Sequence, residues 1–453
     1  MKNKTYYVCS NCGARSAKWL GRCPNCDSWN TFIEEQTHSS KKTKEISSNE
    51  KPTLISQIVD LKTERIIIPI NEFNRVLGGG IVPGSVILIG GDPGIGKSTL
   101  LLQVSSKFKV GSCLYVTGEE SKQQVAIRAK RILISGEDFE ILAETNLEAI
   151  LNQIENKEYD FVIIDSIQSI YSSDMDGIPG SLIQLKECTV RLTEFAKKSG
   201  TAVFLIGHVT KEGYIAGPKV LEHTVDVVLQ FEGEKNYSYR ILRTLKNRFG
   251  STNEIGIFEM VEKGLREVLN PSEIFLADQI DSPGVSISAA MEGSRPILIE
   301  VQALVSSSGY SYPQRTTNGY DIKRLQLILA VLEKKLGINF NNKDVFVNIA
   351  GGFSFDDTAL DLAVAASLIS SNSEISIPEK TVIIGEIGLT GEVRSVSQIE
   401  QRISEAEKLG FQNVILPKYV LNKLSKSYKI KIITVKNLSE TFQKLFLKRT
   451  KSN

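Results

Sequence analysis

Short apolar runs of strand length, separated by segments long enough for a helix, dominate the chain from about residue 54 to residue 268. Five of these runs are apolar at nearly every position: 85–90, 112–118, 160–166, 201–207 and 226–232. Continuous apolar runs of this length are typical of parallel strands that are buried on both faces. The pattern therefore predicts an α/β domain in which helices cover both faces of a mostly parallel sheet.

A second stretch of alternating strands and helices follows the segment NPSEIF, which begins at Asn270. Strands are predicted at 295–305, 344–352, 381–388 and 413–417, and helices at 320–336 and 397–409. Nearer the N-terminus, a polar segment rich in serine and lysine has the composition of a flexible linker. The predicted organisation has four parts: a small module at 1–36, the linker at 37–53, an α/β domain at 54–270 and a second α/β domain at 271–453.

The composition is that of a globular protein, with 41% hydrophobic and 23% charged residues among 453. It excludes disorder for most of the chain, and it excludes collagen-like and coiled-coil structures. Lys and Arg number 54 against 52 Asp and Glu, so the molecule as a whole is not a polycation. From Lys418 onward, however, ten Lys or Arg accompany a single acid, Glu440. This basic region either collects DNA phosphates or forms a solvated lysine-rich tail.

The sequence carries no signal for secretion or for membrane insertion. The N-terminal residues contain no apolar run of signal-peptide length, and the longest apolar runs are far below the roughly 20 residues that span a bilayer. Cysteine is sparse, with six residues in the chain, and four of them lie in the first 26 positions. We therefore expect a reduced, cytoplasmic protein that has no membrane partner.

The four N-terminal cysteines form two CxxC pairs separated by ten residues: Cys9, Cys12, Cys23 and Cys26. Each pair turns two thiolates toward one point, and two pairs complete the tetrahedron that zinc prefers. Four thiolates leave no open position for a substrate, so the sequence predicts a structural Zn²⁺ site. The alternatives are four unligated thiols or a redox dithiol pair.

The segment GDPGIGKST matches the GxxxxGK[ST] pattern of a P-loop, between a predicted strand and a predicted helix. Its residues are Gly91, Asp92, Pro93, Gly94, Ile95, Gly96, Lys97, Ser98 and Thr99. The glycines allow backbone N–H groups to surround phosphates, and the helix N-terminus adds its partial positive charge. Lys97 is predicted to reach the β- and γ-phosphates, and the Ser98 hydroxyl to bind Mg²⁺. The sequence therefore predicts a site for ATP and magnesium.

Polar residues that suit nucleotide hydrolysis follow three of the predicted strands. Asp165 ends the run FVIID and is the predicted second Mg²⁺ ligand, the alternative being an Asp that caps the next segment. Glu119 and Glu120 follow the strand at 112–118, and the residues alone leave open which carboxylate polarises the attacking water. His208 follows a third strand, where it either senses the γ-phosphate or has an ordinary structural role.

The order of these motifs resembles that of the RadA (Sms) family of bacterial DNA repair proteins, over essentially the whole chain. The resemblance rests on the cysteine pairs and on GDPGIGKST, YVTGEES, VIIDS, GHVTKEG (207–213) and LKNRFG (245–250). KNRFG is its most specific piece and alone would pass for a basic strand end. The resemblance implies a RecA-like ATPase core that forms a homo-hexamer. It also implies that Lys246 and Arg248 reach the nucleotide of the adjacent subunit, as an arginine finger does.

The same resemblance assigns roles around the nucleotide and the DNA. It implies that the water-activating carboxylate is Glu119, the first acid after its strand. It implies that the loops at 174–181 and 210–221 face DNA, with Lys211 and Lys219 as candidate phosphate contacts. The alternative is that both lysines are simply solvated.

The segments 347–371 and 384–396 resemble the proteolytic domain of Lon proteases, which use a Ser–Lys pair. In this alignment the serine position falls on Ala359 and the lysine position near Glu400. An alanine methyl group cannot act as a nucleophile. The resemblance therefore implies a domain without peptidase activity, serving as a scaffold for oligomerisation and DNA binding.

The complete interpretation is a DNA-dependent ATPase that acts as a helicase-like, branch-migrating motor on recombination intermediates. Its implied partners are single-stranded and branched DNA and the RecA recombinase, with ATP, Mg²⁺ and Zn²⁺ as cofactors. Two other classes stay open at this stage. One is an ATP-dependent protease, which Ala359 argues against. The other is a scaffold that uses nucleotide only as a switch to recruit RecA or to hold DNA.

Overall fold

The computed structural model describes most of the chain. The described residues are 5–9, 14–25, 27, 29–36, 54, 64–108, 111–134, 139–207, 220–233, 238–272, 276, 282–309, 312–350 and 354–446. The chain divides into two compact units, Met1–Val268 and Leu269–Asn453. Within the described ranges, no helix is both long enough and apolar enough to cross a lipid bilayer.

The N-terminal strands form a small antiparallel sheet with the order β2–β1–β3. They are β1 (Thr5–Cys9), β2 (Arg15–Ser16) and β3 (Phe32–Gln36). Among the residues of this module that the structure describes, the buried cluster consists of Cys9, Cys23 and Phe32. So small a core buries too little apolar surface to stabilise a fold, and modules of this kind depend on a bound metal.

The first unit also contains a nine-stranded sheet with the order β12–β11–β10–β9–β4–β8–β7–β5–β6. Its strands are β4 (Val86–Gly91), β5 (Cys113–Thr117), β6 (Glu140–Ala143), β7 (Phe161–Asp165), β8 (Ala202–Ile206), β9 (Val227–Glu232), β10 (Tyr239–Asn247), β11 (Ile255–Val261) and β12 (Gly264–Glu267). The strands from β9 to β6 in this order are parallel, whereas β10, β11 and β12 extend the sheet antiparallel. All five apolar runs are parallel strands, which confirms the predicted α/β fold class.

Helices cover both faces of this sheet. They are α1 (Asn71–Val76), α2 (Lys97–Lys107), α3 (Lys122–Arg131), α4 (Leu147–Asn156), α5 (Leu182–Ser199) and α6 (Val220–Thr224). Alternate residues of β4 enter different cores: Ile87 and Ile89 share one with α2 and α3, whereas Val86 and Leu88 share the other with α4 and α5. Because both faces are buried, the central parallel strands are apolar at nearly every position.

The second unit is built on a seven-stranded mixed sheet with the order β15–β16–β14–β13–β17–β20–β21, beside a two-stranded sheet of β18 and β19. The strands are β13 (Val285–Glu292), β14 (Arg295–Ser307), β15 (Arg315–Asn318), β16 (Lys343–Ile349), β17 (Thr381–Ile383), β18 (Glu386–Ile387), β19 (Val393–Arg394), β20 (Asn413–Pro417) and β21 (Lys431–Val435). The helices are α7 (Ile322–Leu336), α8 (Asp361–Ser373), α9 (Ile399–Lys408) and α10 (Leu438–Phe446). The two predicted helices correspond to α7 and α9.

Candidate nucleotide site and its surroundings

The P-loop connects the carboxyl end of β4 to the first turn of α2. Gly91 and Gly96 have φ angles of 152° and 117°, which favour glycine. A Cβ atom on Gly91 would lie 2.6 Å from the carbonyl oxygen of Phe231, so a side chain is excluded there. No side chain of the described residues caps the N-terminus of α2. Its first backbone N–H groups can therefore bind phosphate oxygens.

The Lys97 side chain is almost fully buried at the start of α2, with 4% of its surface exposed. Its Nζ donates hydrogen bonds to the carbonyl oxygens of Gly91, at 2.7 Å, and Asp92, at 3.0 Å. Burial lowers the pKa of Lys97 to about 8, although the negative charges of Asp165, Asp92 and Glu119 oppose that shift. The ammonium group thus rests on the loop carbonyls, within reach of the place where phosphates would bind.

Asp165 is the last residue of β7 and pairs with Thr117 of the neighbouring β5. Its Oδ2 accepts a hydrogen bond from the hydroxyl group of Tyr115, which is fully buried. Burial together with the Asp165 charge raises the pKa of Tyr115 well above its usual value, and the nearby Ser98 hydroxyl group partly offsets that shift. Tyr115 therefore connects the two predicted magnesium ligands, a position that the sequence analysis missed.

The two adjacent glutamates point to different surroundings. Glu119 Oε1 accepts a hydrogen bond from the hydroxyl group of Ser166, the residue after Asp165. The Glu120 carboxylate instead forms an ion pair with Arg128 of α3. The structure therefore brings Glu119, and not Glu120, next to the end of β7.

Lys246 and the P-loop lie at opposite edges of the parallel sheet. Lys246 of β10 pairs with Val228, near the start of β9, whereas Gly91 pairs with Phe231, near the end of β9. Lys246 thus belongs to the amino edge of the sheet, and the P-loop follows its carboxyl edge.

Both basic residues of KNRFG contact groups at this amino edge. The Nζ of Lys246 donates to the carbonyl oxygens of Glu222, at 2.6 Å, and Val225, at 2.7 Å. Burial and the charge of Arg248 lower the pKa of Lys246. Arg248 forms an ion pair with the buried carboxylate of Asp226 at 3.0 Å.

Comparison with known families matches three parts of the chain. The model described as "Rubredoxin metal binding domain" matches residues 7–34, "AAA domain" matches 52–214, and "Subunit ChlI of Mg-chelatase" matches 323–419.

Full-length relatives share about half of the residues. "DNA repair protein RadA" of Bacillus subtilis (strain 168) is 48% identical over 451 residues, which cover 98% of each chain. The protein of the same name from Streptococcus pyogenes serotype M3 is 49% identical, covering 98% of this chain and 99% of its own, and that of Listeria monocytogenes serovar 1/2a is 47% identical over 449 residues. The chain belongs to the RadA family of DNA repair proteins.

The RadA assignment confirms the resemblance drawn from the motifs. The chain has a nucleotide-binding AAA domain of an ATP-hydrolysing class, a zinc-ribbon module and a C-terminal ChlI-type domain.

Several of the predicted site residues of this RadA-family chain are not among those that the structure describes. Cys12, Cys26, His208, Lys211 and Lys219 lie outside the described residues, as does the predicted linker at 37–53.

The two described cysteines of the RadA zinc ribbon fit a metal site. Cys9 and Cys23 are both fully buried, one from each CxxC pair. A hydrogen-bonded turn lies next to each cysteine. The Cys9 N–H donates to the Ala14 carbonyl oxygen, and the Asp27 N–H donates to the Cys23 carbonyl oxygen, both at 2.9 Å. Two buried cysteines, each next to a hydrogen-bonded turn, suit half of the four-cysteine donor set of structural zinc.

The ChlI-type domain of this RadA-family chain contains a buried ion pair where the Lon resemblance expects a catalytic pair. Ala359 is buried in a 3₁₀ turn, and its N–H donates to Asp357 Oδ1 at 3.0 Å. The other oxygen of Asp357 accepts from the Arg402 guanidinium group at 2.7 Å. Glu400, the predicted counterpart of the lysine, instead accepts hydrogen bonds from the backbone and side chain of Ser425. The structure places Arg402, not Glu400, against this turn, since residues two apart on a helix face different sides.

Proposed function

We propose that this protein is a DNA-dependent ATPase that acts as a branch-migrating, helicase-like motor on recombination intermediates. The observation that carries the proposal is the convergence of Lys97, Ser98, Asp165 and Glu119 at the carboxyl edge of the sheet, around an uncapped helix N-terminus. Membership of a family of DNA repair proteins supports DNA as the other ligand.

Each group at this edge suits one part of phosphoryl transfer. The backbone N–H groups of the P-loop and the Lys97 ammonium group would hold the phosphates of ATP. Ser98 and Asp165 offer the oxygen ligands that Mg²⁺ prefers, and the bound ion would neutralise the charge that develops on the phosphates. Glu119 would orient and deprotonate the attacking water, with its carboxylate held by Ser166.

The positions of Lys246 and Arg248 support ATP hydrolysis at a site to which two neighbouring subunits contribute. Along β9, the partner of Lys246 (Val228) and the partner of Gly91 (Phe231) are three residues apart, which is about 10 Å at roughly 3.3 Å per residue. The Lys246 ammonium group and the Arg248 guanidinium group are also bound at the amino edge, so in this arrangement neither cation contacts the P-loop of its own chain. Subunits stacked head to tail would bring Lys246 and Arg248 to the nucleotide of a neighbour, and such heterologous contacts form a ring when the rotation between subunits closes. We infer a homo-hexamer, following the family resemblance.

The remaining assignments extend this scheme. In the proposed four-part organisation, with a linker at 37–53 and a domain boundary at about residue 270, the motor domain follows the zinc module along the chain and precedes a DNA-holding scaffold. The loop at 174–181, the candidate contacts Lys211 and Lys219, and the basic region from Lys418 would face single-stranded and branched DNA. RecA is the proposed partner in the cytoplasm, and His208 the proposed γ-phosphate sensor.

Peptidase activity is not part of the proposal. Arginine stays protonated at any physiological pH, so Arg402 cannot accept the proton of a nucleophile, and Ala359 offers no nucleophile.

The decisive experiment measures ATP hydrolysis by the full chain with and without single-stranded DNA, using Glu119→Gln and Glu120→Gln as a matched pair. We expect DNA to stimulate turnover. Glu119→Gln should lower it by about 10²-fold or more while leaving nucleotide binding intact, and Glu120→Gln should keep most of it.

Turnover that ignores DNA would refute the motor and favour the nucleotide-switched scaffold that recruits RecA. Equal losses in the two glutamine variants would refute the role given to Glu119. Unwinding of a branched substrate, abolished by Lys97→Ala, separates a motor from a scaffold that merely hydrolyses ATP.

A further inference from the structure

The zinc ribbon displays both tryptophans of the chain on its surface. The sequence contains two tryptophans in 453 residues, and they are Trp19 and Trp29. Their exposed fractions are 53% and 69%, values that are unusual for so large an apolar ring. Two exposed rings in one small module offer apolar surface of the kind that marks a binding patch.

The two rings are held by one pair of hydrogen-bonded segments. Trp29 forms an antiparallel bridge with Arg22, and the Asn30 N–H donates to the Gly21 carbonyl oxygen at 2.7 Å. The indole N–H of Trp19 donates to the Phe32 carbonyl oxygen at 3.1 Å. This bond fixes one edge of the Trp19 ring against the ribbon and satisfies its polar group, so that the exposed part is apolar ring surface.

Positive charge accompanies the rings. The Arg22 guanidinium group lies 5.9 Å from the centroid of the Trp29 ring and forms an ion pair with the exposed Asp27 at 3.2 Å. Lys18, next to Trp19, is exposed. Protein-binding patches are enriched in tryptophan and arginine but depleted of lysine and aspartate, both of which accompany these rings. Aromatic rings interleaved with cations are instead the pattern that binds single-stranded nucleic acid, because bases stack on the rings and phosphates meet the cations.

We propose that Trp19 and Trp29 stack against bases of single-stranded DNA, with Lys18 and Arg22 near its phosphates. The proposal rests on the proposed function only in taking DNA as the ligand, and it assigns the ribbon a direct contact with that DNA. Duplex DNA does not fit this surface, because its bases are already stacked and paired.

Since the chain has no other tryptophan, its tryptophan emission reports on the ribbon alone. The experiment titrates the full-length protein with a dye-labelled oligo(dT) strand and follows the emission together with the anisotropy of the dye. We expect the emission to be quenched in step with binding, and an equimolar duplex to quench it far less. An oligonucleotide that binds by anisotropy while the emission stays unchanged overturns the proposal and leaves the patch to a protein partner.

Substitutions test how much each tryptophan ring contributes to the affinity for single-stranded DNA. Trp19→Ala and Trp29→Ala should each weaken oligo(dT) binding by at least about fivefold, the lower end of what one base–aromatic stack contributes. Trp19→Phe and Trp29→Phe keep a ring and should retain most of the affinity. Zinc content reports whether each variant still folds, and the wild-type titration decides the proposal even if the alanine variants misfold. Wild-type affinity in folded alanine variants overturns it.

Failure of this proposal differs from failure of the proposed function. Hydrolysis that DNA stimulates, without any change in tryptophan emission, removes the ribbon contact and leaves the motor. Quenching by oligo(dT) without stimulated hydrolysis supports the ribbon contact and refutes the motor.

Discussion

At the scale of single residues, the charge of Lys97 couples nucleotide binding to pH. Burial lowers the pKa of Lys97 to about 8, and phosphates bound beside it would raise that pKa again. Above about pH 8, binding must therefore take up a proton, and the affinity should fall by up to about tenfold per pH unit. Calorimetry of nucleotide binding in buffers of different ionisation enthalpy measures this uptake. Lys107→Ala, at the exposed end of the same helix, is the control that should leave the profile unchanged.

A proton uptake of zero between about pH 7 and pH 10 would contradict this prediction. It would mean that the Lys97 ammonium group keeps its charge throughout, held by the surrounding carboxylates.

The hydroxyl group of Tyr115 should tune the response to magnesium. Tyr115→Phe removes the donor to Asp165 and the link to Ser98 but keeps the buried ring, so we expect a loss of stability of only about 1 kcal/mol. Without that donor the two metal ligands are less well positioned, and half-maximal hydrolysis should need more Mg²⁺. Measuring nucleotide affinity and hydrolysis across a Mg²⁺ titration tests this. An unchanged Mg²⁺ dependence would reduce Tyr115 to a packing role.

Some residues of the nucleotide site can be predicted from the sequence, whereas others cannot. The P-loop, the strand-end Asp165 and the cysteine pairs have fixed local spacing, so the sequence predicts them. Tyr115 lies 50 residues before Asp165 and looks like any aromatic residue of a buried strand. Only the parallel pairing of β5 with β7 brings the two together.

At the scale of elements, the buried ion pair under α9 should stabilise the second unit. Arg402 is 1% exposed and binds Asp357 as well as the carbonyl oxygens of Ala289 and Ser397. Arg402→Met would leave the Asp357 charge and these carbonyl groups without their donor, at a cost of about 3–5 kcal/mol. Differential scanning calorimetry should show a clearly lowered transition.

The matched control is Arg394→Met, which breaks an exposed pair with Glu392 and should cost at most about 1 kcal/mol. Equal shifts in the two variants would argue against a special contribution of the buried pair.

For some strands, the pattern of apolar and polar residues does not predict the secondary structure. Runs such as 161–164 are apolar at every position and identify their strands directly. β10 mixes exposed and buried residues without strict alternation, and β11 and β12 are interrupted by polar residues. These three strands at the sheet edge bury only part of their surface, so neither a continuous nor an alternating pattern marks them.

At the scale of the whole molecule, the proposed contact between subunits can be tested by mixing two inactive proteins. Lys97→Ala subunits would still supply Lys246, and Lys246→Ala subunits would still supply Lys97. In a random assembly of equal amounts, about a quarter of the interfaces would then hold both groups. We expect hydrolysis to recover toward that fraction after the two proteins are mixed.

The control mixes Lys97→Ala with Glu119→Gln. Both groups belong to the same side of the interface, so no complete site can form and the mixture should stay inactive. Recovery in this control, or none in the first mixture, would contradict action between subunits.

Because the P-loop and Lys246 lie at opposite edges of the sheet, the number of complete active sites depends on how the subunits are arranged. If each site needs both edges, an isolated subunit is not an enzyme, and a dilute solution should lose specific activity as its assemblies come apart. An open row of n subunits would contain n − 1 complete sites and two idle ends. A closed ring would contain n, and it is the only finite arrangement in which every nucleotide can be hydrolysed.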